Sequence, residues 1–498
     1  MTLQVDQLRW MADRLPGEVA YVDLLRSDEA DRGELTFGRW DDESNRVARH
    51  LISIGVRPGD RVVLFVESSH ALRWMVTYAA IHIAGAVAVP VNTRLSGREV
   101  ATILAHAEPA AAITTSTLAA LLPPFGAPER VMLADDDAEW AAMLAHDGPR
   151  LAPPVGAGDL ADLMYTSGTT GLPKGIAVRH RNTHIIPNGE PRWTGESWIH
   201  ASPLFTFAGI TFIYNPMKMG MRGLFMSRFD ATRWLTEVAT RRPTMAFLVP
   251  SMVQLLCDHP DFAAADLSSL AMVSIGSAPL APALHRRLAD RLPGTAVSNS
   301  YSMTEAGTTF TFLPPGEIAN RPGSVGVVLP PSEIRIVDED GAEVDAGEVG
   351  EVLIGVGEGH REYYNDPEAT ARTWRSGWLA SGDLGRVDAD GYLYIVGRAK
   401  DVIIRGGNNV HATDVEAVLF EHPAVADAAV VAVPHDVLGE DVGAAVVLRA
   451  GSDVEPSELT EFCAERLADY KVPRSVWFVD ELPRNAMGKV LKRDIVRP

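Results

Sequence analysis

The sequence predicts an α/β protein with a large N-terminal domain of two α/β lobes, a small β-rich subdomain, and a small α+β domain at the C-terminus. Helical and strand patterns alternate through about the first 300 residues, which is typical of mostly parallel sheets covered by helices. After about residue 320, short strands separated by Asp/Gly turns replace that alternation. A chain of 498 residues is also too long for one simple core, so we expect more than one domain.

The two lobes are predicted to span residues 1 to about 158 and about 159 to 300. Over residues 37–54, for example, Val47 and Leu51 recur at the spacing of one helix face. The other elements are apolar runs bounded by turns: strands at 61–66, 87–91, 246–249 and 270–275, and a helix at 74–86.

The subdomain and the C-terminal domain are predicted from shorter apolar runs. The turn sequence Asp388-Ala389-Asp390-Gly391 lies between two such runs, so we expect a β-hairpin there. The subdomain strands are predicted at 325–337, 348–354, 386–387 and 392–396. The C-terminal elements are predicted as helices at 414–421 and 456–467 and strands at 428–433 and 475–479.

Composition and charge indicate an ordinary globular enzyme and argue against several other classes of protein. Apolar residues make up 46% of the chain and charged residues 22%. The formal net charge of −20 argues against nucleic-acid binding and against adsorption to anionic membranes. The only cysteines are Cys257 and Cys463, so we expect neither a disulfide framework nor a cysteine metal site. No apolar signal core or membrane-length run is present, so a cytoplasmic location without stable membrane anchoring is expected.

Residues 165–175, with the sequence YTSGTTGLPKG, form the most informative stretch. They follow a short apolar run and contain three glycines, four Ser/Thr hydroxyls, one lysine and no acidic residue. Glycines let backbone N–H groups converge into an anion-binding nest, and the lysine adds a positive charge. A polar surface loop is the general alternative, but the lysine, the stiffening proline and the preceding strand favour phosphate binding. This is not a Walker loop, because G-x-x-x-x-G-K-[ST] cannot be aligned on it.

Four further segments carry groups that suit a nucleotide, although each has a simpler interpretation when taken alone. Thr304-Glu305 could hold a hard cation through oxygen atoms, or could start a helix. Asp383 could accept two hydrogen bonds from a ribose diol, or could belong to a turn. The basic residues of 397–410 could face a phosphate across a domain cleft or form a charged linker. Lys489 could project from a mobile loop after Gly488 or belong to a solvated tail.

In this order, the five segments resemble those of the adenylate-forming superfamily, and in particular its acyl-CoA synthetase branch. Residues 165–175 match the phosphate loop of that family at every diagnostic position, and residues 301–305 (YSMTE) are similar to its YGxTE segment. Residues 381–384 (SGDL) resemble its TGDL, residues 397–416 its hinge segment, and residues 483–489 its PRxxxGK tail. The resemblance covers essentially the whole chain. It implies a barrel-like subdomain and a mobile C-terminal domain.

The resemblance implies an ATP-dependent acid–CoA ligase that forms AMP. Such an enzyme joins a carboxylic acid to AMP with release of pyrophosphate and then transfers the acyl group to CoA. ATP, Mg²⁺ and CoA are therefore the implied cofactors. The residues implied to bind the β- and γ-phosphates are Thr166, Ser167, Gly168, Thr169, Thr170 and Lys174. Those implied to enclose the adenine are Gly276, Ser277, Ala278, Pro279, Asn299, Ser300 and Tyr301.

The same resemblance implies roles at the reacting groups. Glu305 would hold Mg²⁺ with Thr304 near the α-phosphate, while Asp383 and Arg398 would fix the ribose hydroxyls. Lys489 would place its ammonium between the substrate carboxylate and the α-phosphate, where a positive charge stabilises the pentavalent transition state. Mg²⁺ would neutralise the departing pyrophosphate.

The resemblance also implies two domains, an AMP-binding domain at residues 1–398 and a mobile domain at residues 399–498. The smaller domain would rotate after adenylation about a pivot at Lys400. Rotation would withdraw Lys489 and bring Gly407 to the site, where the thiol of CoA would displace AMP.

Three departures from the family pattern concern the acid and the second step. Thr206 stands where members that use fatty or aromatic acids commonly have a histidine, and Ser302 replaces the glycine of YGxTE. Residues 409–414 (NVHATD) lack the proline and the glutamate of NVxPxE. These changes bear on the acyl pocket and on the conformation for thiol transfer, whereas the ATP-binding segments are intact.

The acid is predicted to be a mostly hydrophobic monocarboxylic acid of medium-chain, alicyclic or aromatic type, secondary-metabolite acids included. No aspartate near Thr206 could pair with an amine, which counts against amino acids. The implied acyl pocket consists of Phe205, Thr206, Phe207, Ile210, Thr211, Ser302, Met303 and Thr308. The alternatives are an enzyme that stops at the acyl-adenylate or uses a carrier protein, and a non-catalytic nucleotide-binding protein. The sequence leaves the oligomeric state open, a homodimer included.

Overall fold

The computed structural model describes residues 2–26, 33–123, 126–167, 173–183, 185–307, 311–314, 316–485 and 489–497. Its α-helices are α1 Gln4–Arg14, α2 Phe37–Ser53, α3 Ala71–Ile83, α4 Gly97–Ala107, α5 Ser116–Ala119, α6 Asp137–Leu144, α7 Phe207–Lys218, α8 Ala231–Arg241, α9 Pro250–Cys257, α10 Pro282–Arg291, α11 Glu317–Asn320, α12 Pro367–Thr373, α13 Ala412–Leu419 and α14 Pro456–Ala464. None of the helices within these ranges is long and apolar enough to cross a membrane.

The strands of the first 300 residues are β1 Val19–Asp23, β2 Glu34–Thr36, β3 Arg61–Phe65, β4 Val87–Pro90, β5 Ala111–Thr114, β6 Arg130–Leu133, β7 Leu160–Ser167, β8 Pro173–Arg179, β9 Ser197–His200, β10 Arg222–Phe225, β11 Met245–Leu248, β12 Met272–Ile275 and β13 Ala296–Asn299. The later strands are β14 Thr311–Phe312, β15 Ser324–Val328, β16 Glu333–Val337, β17 Gly350–Gly355, β18 Glu362–Tyr363, β19 Trp374–Arg375, β20 Trp378–Val387, β21 Leu393–Arg398, β22 Val402–Arg405, β23 Asn408–His411, β24 Val425–His435, β25 Gly439–Leu448 and β26 Ser475–Phe478.

Two seven-stranded, mostly parallel sheets form the large domain, in the orders β18-β8-β7-β4-β3-β5-β6 and β13-β12-β11-β9-β10-β1-β2. The prediction of two lobes that follow one another along the chain, divided near residue 158, is wrong. Strands β1 and β2 belong to the second sheet, whereas β7 and β8 belong to the first. Apolar patterns identify strands but not their partners. Strand β1, for example, pairs with β10, and the ring of Tyr21 lies over Gly223 of β10. A Cβ on Gly223 would be only 2.1 Å from that ring.

The two sheets share an apolar core, which explains how strands from both parts of the chain are held together. Helices α1, α2, α3 and α7 supply most of this core, and strand residues from both sheets, such as Leu64 and Phe225, complete it. Almost every residue of α3 is buried, as expected for a helix that is apolar on all sides. Burial of this continuous apolar surface holds the two sheets together and so positions the strand ends that carry the candidate site.

The remaining strands form two further sheets. One is antiparallel, with the order β14-β15-β21-β20-β17-β16 and with β19 beside β20. The other lies in the last hundred residues, with the order β23-β22-β25-β24 and with β26 beside β25. Helices α13 and α14 cover this last sheet around its own apolar core, which includes Val415, Val430 and Leu459. The predicted fold class, a large α/β domain with a β-rich subdomain and a small α+β domain, is confirmed.

Candidate active site

The predicted phosphate loop belongs to a hairpin formed by β7 and β8. Thr166 pairs with Lys174 across the hairpin, so Lys174 lies on the returning strand rather than in the loop itself. Gly168, Thr169, Thr170 and the side chain of Ser167 lie outside the described residues. The hairpin therefore supports both ends of the segment that is predicted to bind the triphosphate.

Tyr363 joins this hairpin to the predicted metal-binding carboxylate. The ammonium of Lys174 lies 5.0 Å from the centre of the Tyr363 ring, and the Tyr363 hydroxyl donates to Oε1 of Glu305 at 3.4 Å. Burial and the Glu305 charge raise the pKa of Tyr363 to about 12, so it remains a hydrogen-bond donor at neutral pH. Tyr363 was not predicted from the sequence, because it reaches the site through the pairing of β18 with β8.

His106 is a second residue of the site that the sequence did not predict. Its Nδ1 forms a hydrogen bond of 2.7 Å with the hydroxyl of Tyr165, the first residue of the predicted loop segment. His106 lies on α4, and its ring also packs edge-on against Tyr364. This contact ties the start of the hairpin to a helix and so limits the movement of the phosphate-binding segment.

The two segments predicted to enclose the adenine come together because β12 and β13 are parallel neighbours, with Ile275 opposite Asn299. The backbone N–H and the hydroxyl of Ser300 both donate to the carbonyl of Ile275, at 2.8 and 2.9 Å. A Cβ on Gly276 would lie 3.2 Å from that hydroxyl. Ser277 has a φ of +72°, a left-handed conformation that is uncommon for a residue other than glycine.

The structure also brings together the two residues that are predicted to bind the ribose. Asp383 on β20 lies opposite Arg398 on β21. Oδ1 of Asp383 accepts a hydrogen bond of 2.6 Å from Nε of Arg398, and Oδ2 accepts one of 2.6 Å from the Tyr301 hydroxyl. Burial and the Asp383 charge raise the pKa of Tyr301 well above its ordinary value. The carboxylate is therefore held between two donors, and a carboxylate has lone pairs for further ones.

Lys489 lies close to this pair. Its backbone N–H donates to Oδ1 of Asn485 at 2.9 Å. Although the residue as a whole is exposed, the atoms packed around its side chain lower its pKa. The charge of Arg398 acts in the same direction, while Asp383 opposes it. The C-terminal domain thus takes an orientation in which the charge of the tail lysine interacts with both members of the predicted ribose-binding pair.

Two other predicted residues of the hinge segment, Lys400 and Gly407, lie in turns. Lys400 is exposed in a single helical turn between β21 and β22, Ala399–Asp401. Gly407 lies in the turn between β22 and β23, with a φ of +86° and nothing within 4 Å of the place where a Cβ would be.

The residues near Glu305 suit Mg²⁺ better than a metal that needs a full set of protein ligands. The described part of the chain contains no group of three or more His, Cys, Asp or Glu residues that could hold a metal ion. Mg²⁺ usually takes one or two carboxylates and completes its shell with water and substrate phosphates. Glu305 is half-buried and its hydrogen bond to Tyr363 is long, so its carboxylate fits such a role.

Thr206, predicted at the acyl pocket, is the N-cap residue of helix α7. Its hydroxyl accepts from the N–H of Gly209 at 2.9 Å and donates to the carbonyl of Pro203 at 2.8 Å. The hydroxyl is thus used as a helix cap, which accounts for a threonine at this place.

The other predicted pocket residues differ in their exposure. Ser302 is exposed, while Phe205 and Met303 are half-buried. Phe207, Ile210 and Thr211 are buried, so a ligand would reach them only if neighbouring side chains moved. Thr308 lies outside the described residues.

Comparison with known proteins identifies the family. The family model described as AMP-binding enzyme matches residues 8–364, and that of the AMP-binding enzyme C-terminal domain matches residues 414–489. The chain belongs to the AMP-binding enzymes. This AMP-binding enzyme is 38% identical over 478 residues to a feruloyl-CoA synthase of an Amycolatopsis species, covering 93% of this chain and 94% of that one. It is 33% identical over 479 residues to the fatty acid–[acyl-carrier-protein] ligase ScoC of Streptomyces coeruleorubidus, with 93% and 91% coverage.

Among solved structures, the AMP-binding enzyme is similar to the anthranilate CoA ligase AuaEII in complex with anthranoyl-AMP. The TM-score is 0.88 at 28% identity, and the match covers 99% of this chain and 96% of that one. The predicted family, the fold and the class of AMP-forming acid–CoA ligases are confirmed. The family and its relatives also support a small-molecule acid, ATP and CoA as substrates. The domain boundary at 398/399, the role of each site residue, Mg²⁺, the homodimer, the carrier protein and the cytoplasmic location stay predictions.

Proposed function

We propose that this AMP-binding enzyme uses ATP to convert a mostly hydrophobic carboxylic acid to its acyl-adenylate and then transfers the acyl group to CoA. The convergence of Lys489 with the Asp383–Arg398 pair carries this proposal. A ribose held by Asp383 would leave the α-phosphate within the field of the lysine ammonium. A carboxylate that attacks another anion needs such a charge between the two groups.

In the first step, a carboxylate oxygen of the acid attacks the α-phosphorus of ATP. The bond from that phosphorus to the oxygen bridging to the β-phosphate breaks, and pyrophosphate leaves. Lys489 neutralises charge on the pentavalent phosphorus, while Lys174 binds the departing phosphates. Glu305 would hold Mg²⁺, which would supply Lewis-acid stabilisation of the same negative charge.

In the second step, the thiol sulfur of CoA attacks the carbonyl carbon of the acyl-adenylate, loses its proton, and AMP leaves. The smaller domain, residues 399–498, rotates about Lys400 between the two steps, which removes Lys489 and brings Gly407 to the acyl group. The positive φ of Gly407 and the open space around it suit a turn that approaches a ligand closely.

The acid is an aromatic or fatty acid. Two relatives named for ferulate and anthranilate support the aromatic type, and ScoC supports a fatty acid. Transfer to a carrier protein is the second candidate, favoured by the name of ScoC and by the altered hinge sequence at residues 409–414. Within that sequence, Asp414 forms an ion pair of 2.6 Å with Lys471 inside the smaller domain.

A panel of carboxylic acids, assayed for pyrophosphate release with and without CoA, tests the proposal. We expect pyrophosphate with several hydrophobic acids and, when CoA is added, acyl-CoA of the matching mass. If no acid releases pyrophosphate, the proposed function is wrong. If acids react but no acyl-CoA appears, the carrier protein becomes the acceptor to test.

Lys489→Ala tests the first step. Adenylation is expected to fall by about 100- to 1,000-fold, because one positive charge on the transition state is lost. Formation of acyl-CoA from supplied acyl-adenylate should persist. Arg493→Ala is the matched control, since Arg493 is an exposed cation in the same tail and pairs only weakly with its neighbour Asp494 at 3.4 Å. Equal loss of both half-reactions would contradict a lysine that withdraws.

A further inference from the structure

Arg361 is a buried cation beside the proposed site, and no step described above uses it. Its exposed fraction is 2%. Burial lowers its pKa to about 10, with the Asp162 and Glu305 charges opposing that shift, so the guanidinium remains charged at neutral pH. Burial of a charge is costly unless its hydrogen bonds and neighbours compensate. The contacts of Arg361 therefore indicate what it stabilises.

The guanidinium connects two turns that are far apart in sequence. Nη1 donates to the carbonyl of Thr304 at 2.6 Å, and Nη2 donates to the carbonyl of Asn182. Asn182 follows β8, the strand that carries Lys174, and Thr304 immediately precedes Glu305. One side chain thus links the returning strand of the phosphate hairpin to the segment predicted to bind the α-phosphate and the metal.

The same guanidinium also contacts the acyl side of the site. Its Cζ lies 4.1 Å from the centre of the Phe207 ring, at the start of α7. A buried cation over an aromatic ring is a favourable contact that also fixes the ring. Gly307 provides the space for this arrangement, because a Cβ there would lie 2.5 Å from Cζ of Arg361.

We infer that Arg361 is a positioning residue for adenylation, which holds the Thr304 carbonyl and the Phe207 ring at a fixed separation. This inference rests on the proposed function. In the first step the acid and ATP are separate molecules, so their alignment depends on the two surfaces that Arg361 joins. In the acyl-adenylate a covalent bond already aligns the acyl group and the phosphate. Arg361 therefore acts on the first step and not on the second.

Four variants test this role. Arg361→Met keeps an unbranched stem but removes the charge and the donors, and Arg361→Lys keeps the charge but not the forked arrangement of donors. Gly307→Ala displaces the guanidinium without changing Arg361. Gly294→Ala is the matched control, because Gly294 has a similar φ of +89° but nothing within 4 Å of a Cβ.

The measurements are pyrophosphate release at saturating acid and ATP, acyl-CoA formation from supplied acyl-adenylate, and melting temperature. A misplacement of about 1 Å can cost about 100-fold in rate. We expect Arg361→Met and Gly307→Ala to lower the adenylation kcat about 30- to 100-fold, with the second step within about threefold of wild type. KM for ATP should change much less than kcat. Arg361→Lys should restore part of the loss, and Gly294→Ala should match wild type.

Equal losses in both half-reactions would overturn the inference, as would an Arg361→Lys enzyme no faster than Arg361→Met. So would Gly307→Ala and Gly294→Ala enzymes with the same adenylation rate. If Arg361→Met does not fold, the comparison of the two glycine variants decides the matter. Each of these outcomes is observed with a wild-type enzyme that is active in adenylation. Absence of any adenylation by the wild type would instead refute the proposed function, and the role of Arg361 with it.

Discussion

An ion pair between the large and small domains gives a prediction about the balance of the two steps. Nη1 of Arg449, which follows β25, lies 2.5 Å from Oδ1 of Asp258 at the end of α9. Asp258 also accepts hydrogen bonds from Arg287 at 2.8 Å and from the side chain of Gln254. Burial raises the pKa of Asp258, but the hydrogen bonds from Arg287, Gln254 and Arg449 lower it overall. The pair favours the orientation in which Lys489 lies near Asp383 and Arg398.

Its strength follows from its exposure. Both side chains are 31% exposed, so solvent screening limits the pair to about 0.5–1 kcal/mol. Arg449→Ala leaves Asp258 paired with Arg287, so no unpaired charge adds to this cost. A change of this size shifts an equilibrium about two- to fivefold, since about 1.4 kcal/mol is tenfold. Arg449→Ala should therefore favour the rotated orientation by about two- to fivefold.

The assay compares the rate of acyl-CoA formation from supplied acyl-adenylate with the rate of pyrophosphate release. The ratio of the two should rise about two- to fivefold in Arg449→Ala at low salt, and the difference should shrink at about 1 M salt. Arg474→Ala is the control, because Arg474 pairs with Asp469 inside the small domain. An unchanged or lower ratio at low salt would refute the claim that this pair holds the adenylating orientation.

Three further changes have defined outcomes. Asp401→Asn removes a charge that raises the pKa of Lys489, so the alkaline limb of the adenylation pH profile should move to lower pH, and a shift upward would contradict this. Lys218 is buried with a pKa of about 7 against an ordinary 10.5. Between these values the unfolded chain binds a proton that the folded protein does not. Wild-type stability should therefore rise with pH from 7 to 10.5, and the gain in melting temperature of Lys218→Met over wild type should shrink across that range. A gap that is constant with pH would refute the lowered pKa of Lys218. Tyr301→Phe removes one hydrogen-bond donor to Asp383, so KM for ATP should rise about five- to tenfold. An unchanged KM would show that the Tyr301 hydroxyl does not orient the Asp383 carboxylate.

Local sequence was sufficient for the parts of the site that lie close together in the chain. Asp383 and Arg398 face each other across one hairpin, and its turn at 388–391 is visible in the sequence. Thr166 and Lys174 belong to another such hairpin, although the sequence did not show that the lysine lies on a strand. In the hairpin of Asp383 and Arg398, the position of the turn residues fixes the register.

The contacts that the sequence did not predict join distant strands. Tyr363 and Arg361 reach the site only because β18 pairs with β8, and His106 reaches it from α4. No periodicity marks such a pairing, since a two-residue strand has no pattern of its own. The interleaving of the two lobes has the same cause, because an apolar strand can pair with any compatible edge.

That interleaving sets the order in which the enzyme can form during synthesis. Strand β1 leaves the ribosome early but pairs with β10, and the first sheet gains its outer strand only when Tyr363 has emerged. Long-range pairings of this kind slow folding and leave strand edges exposed until their partners arrive. Neither half of the first 300 residues therefore contains a complete folding unit. Tyr363, which contacts both Lys174 and Glu305, is among the last parts of the large domain to reach its place. A nascent chain therefore gains its triphosphate site only after both sheets have formed.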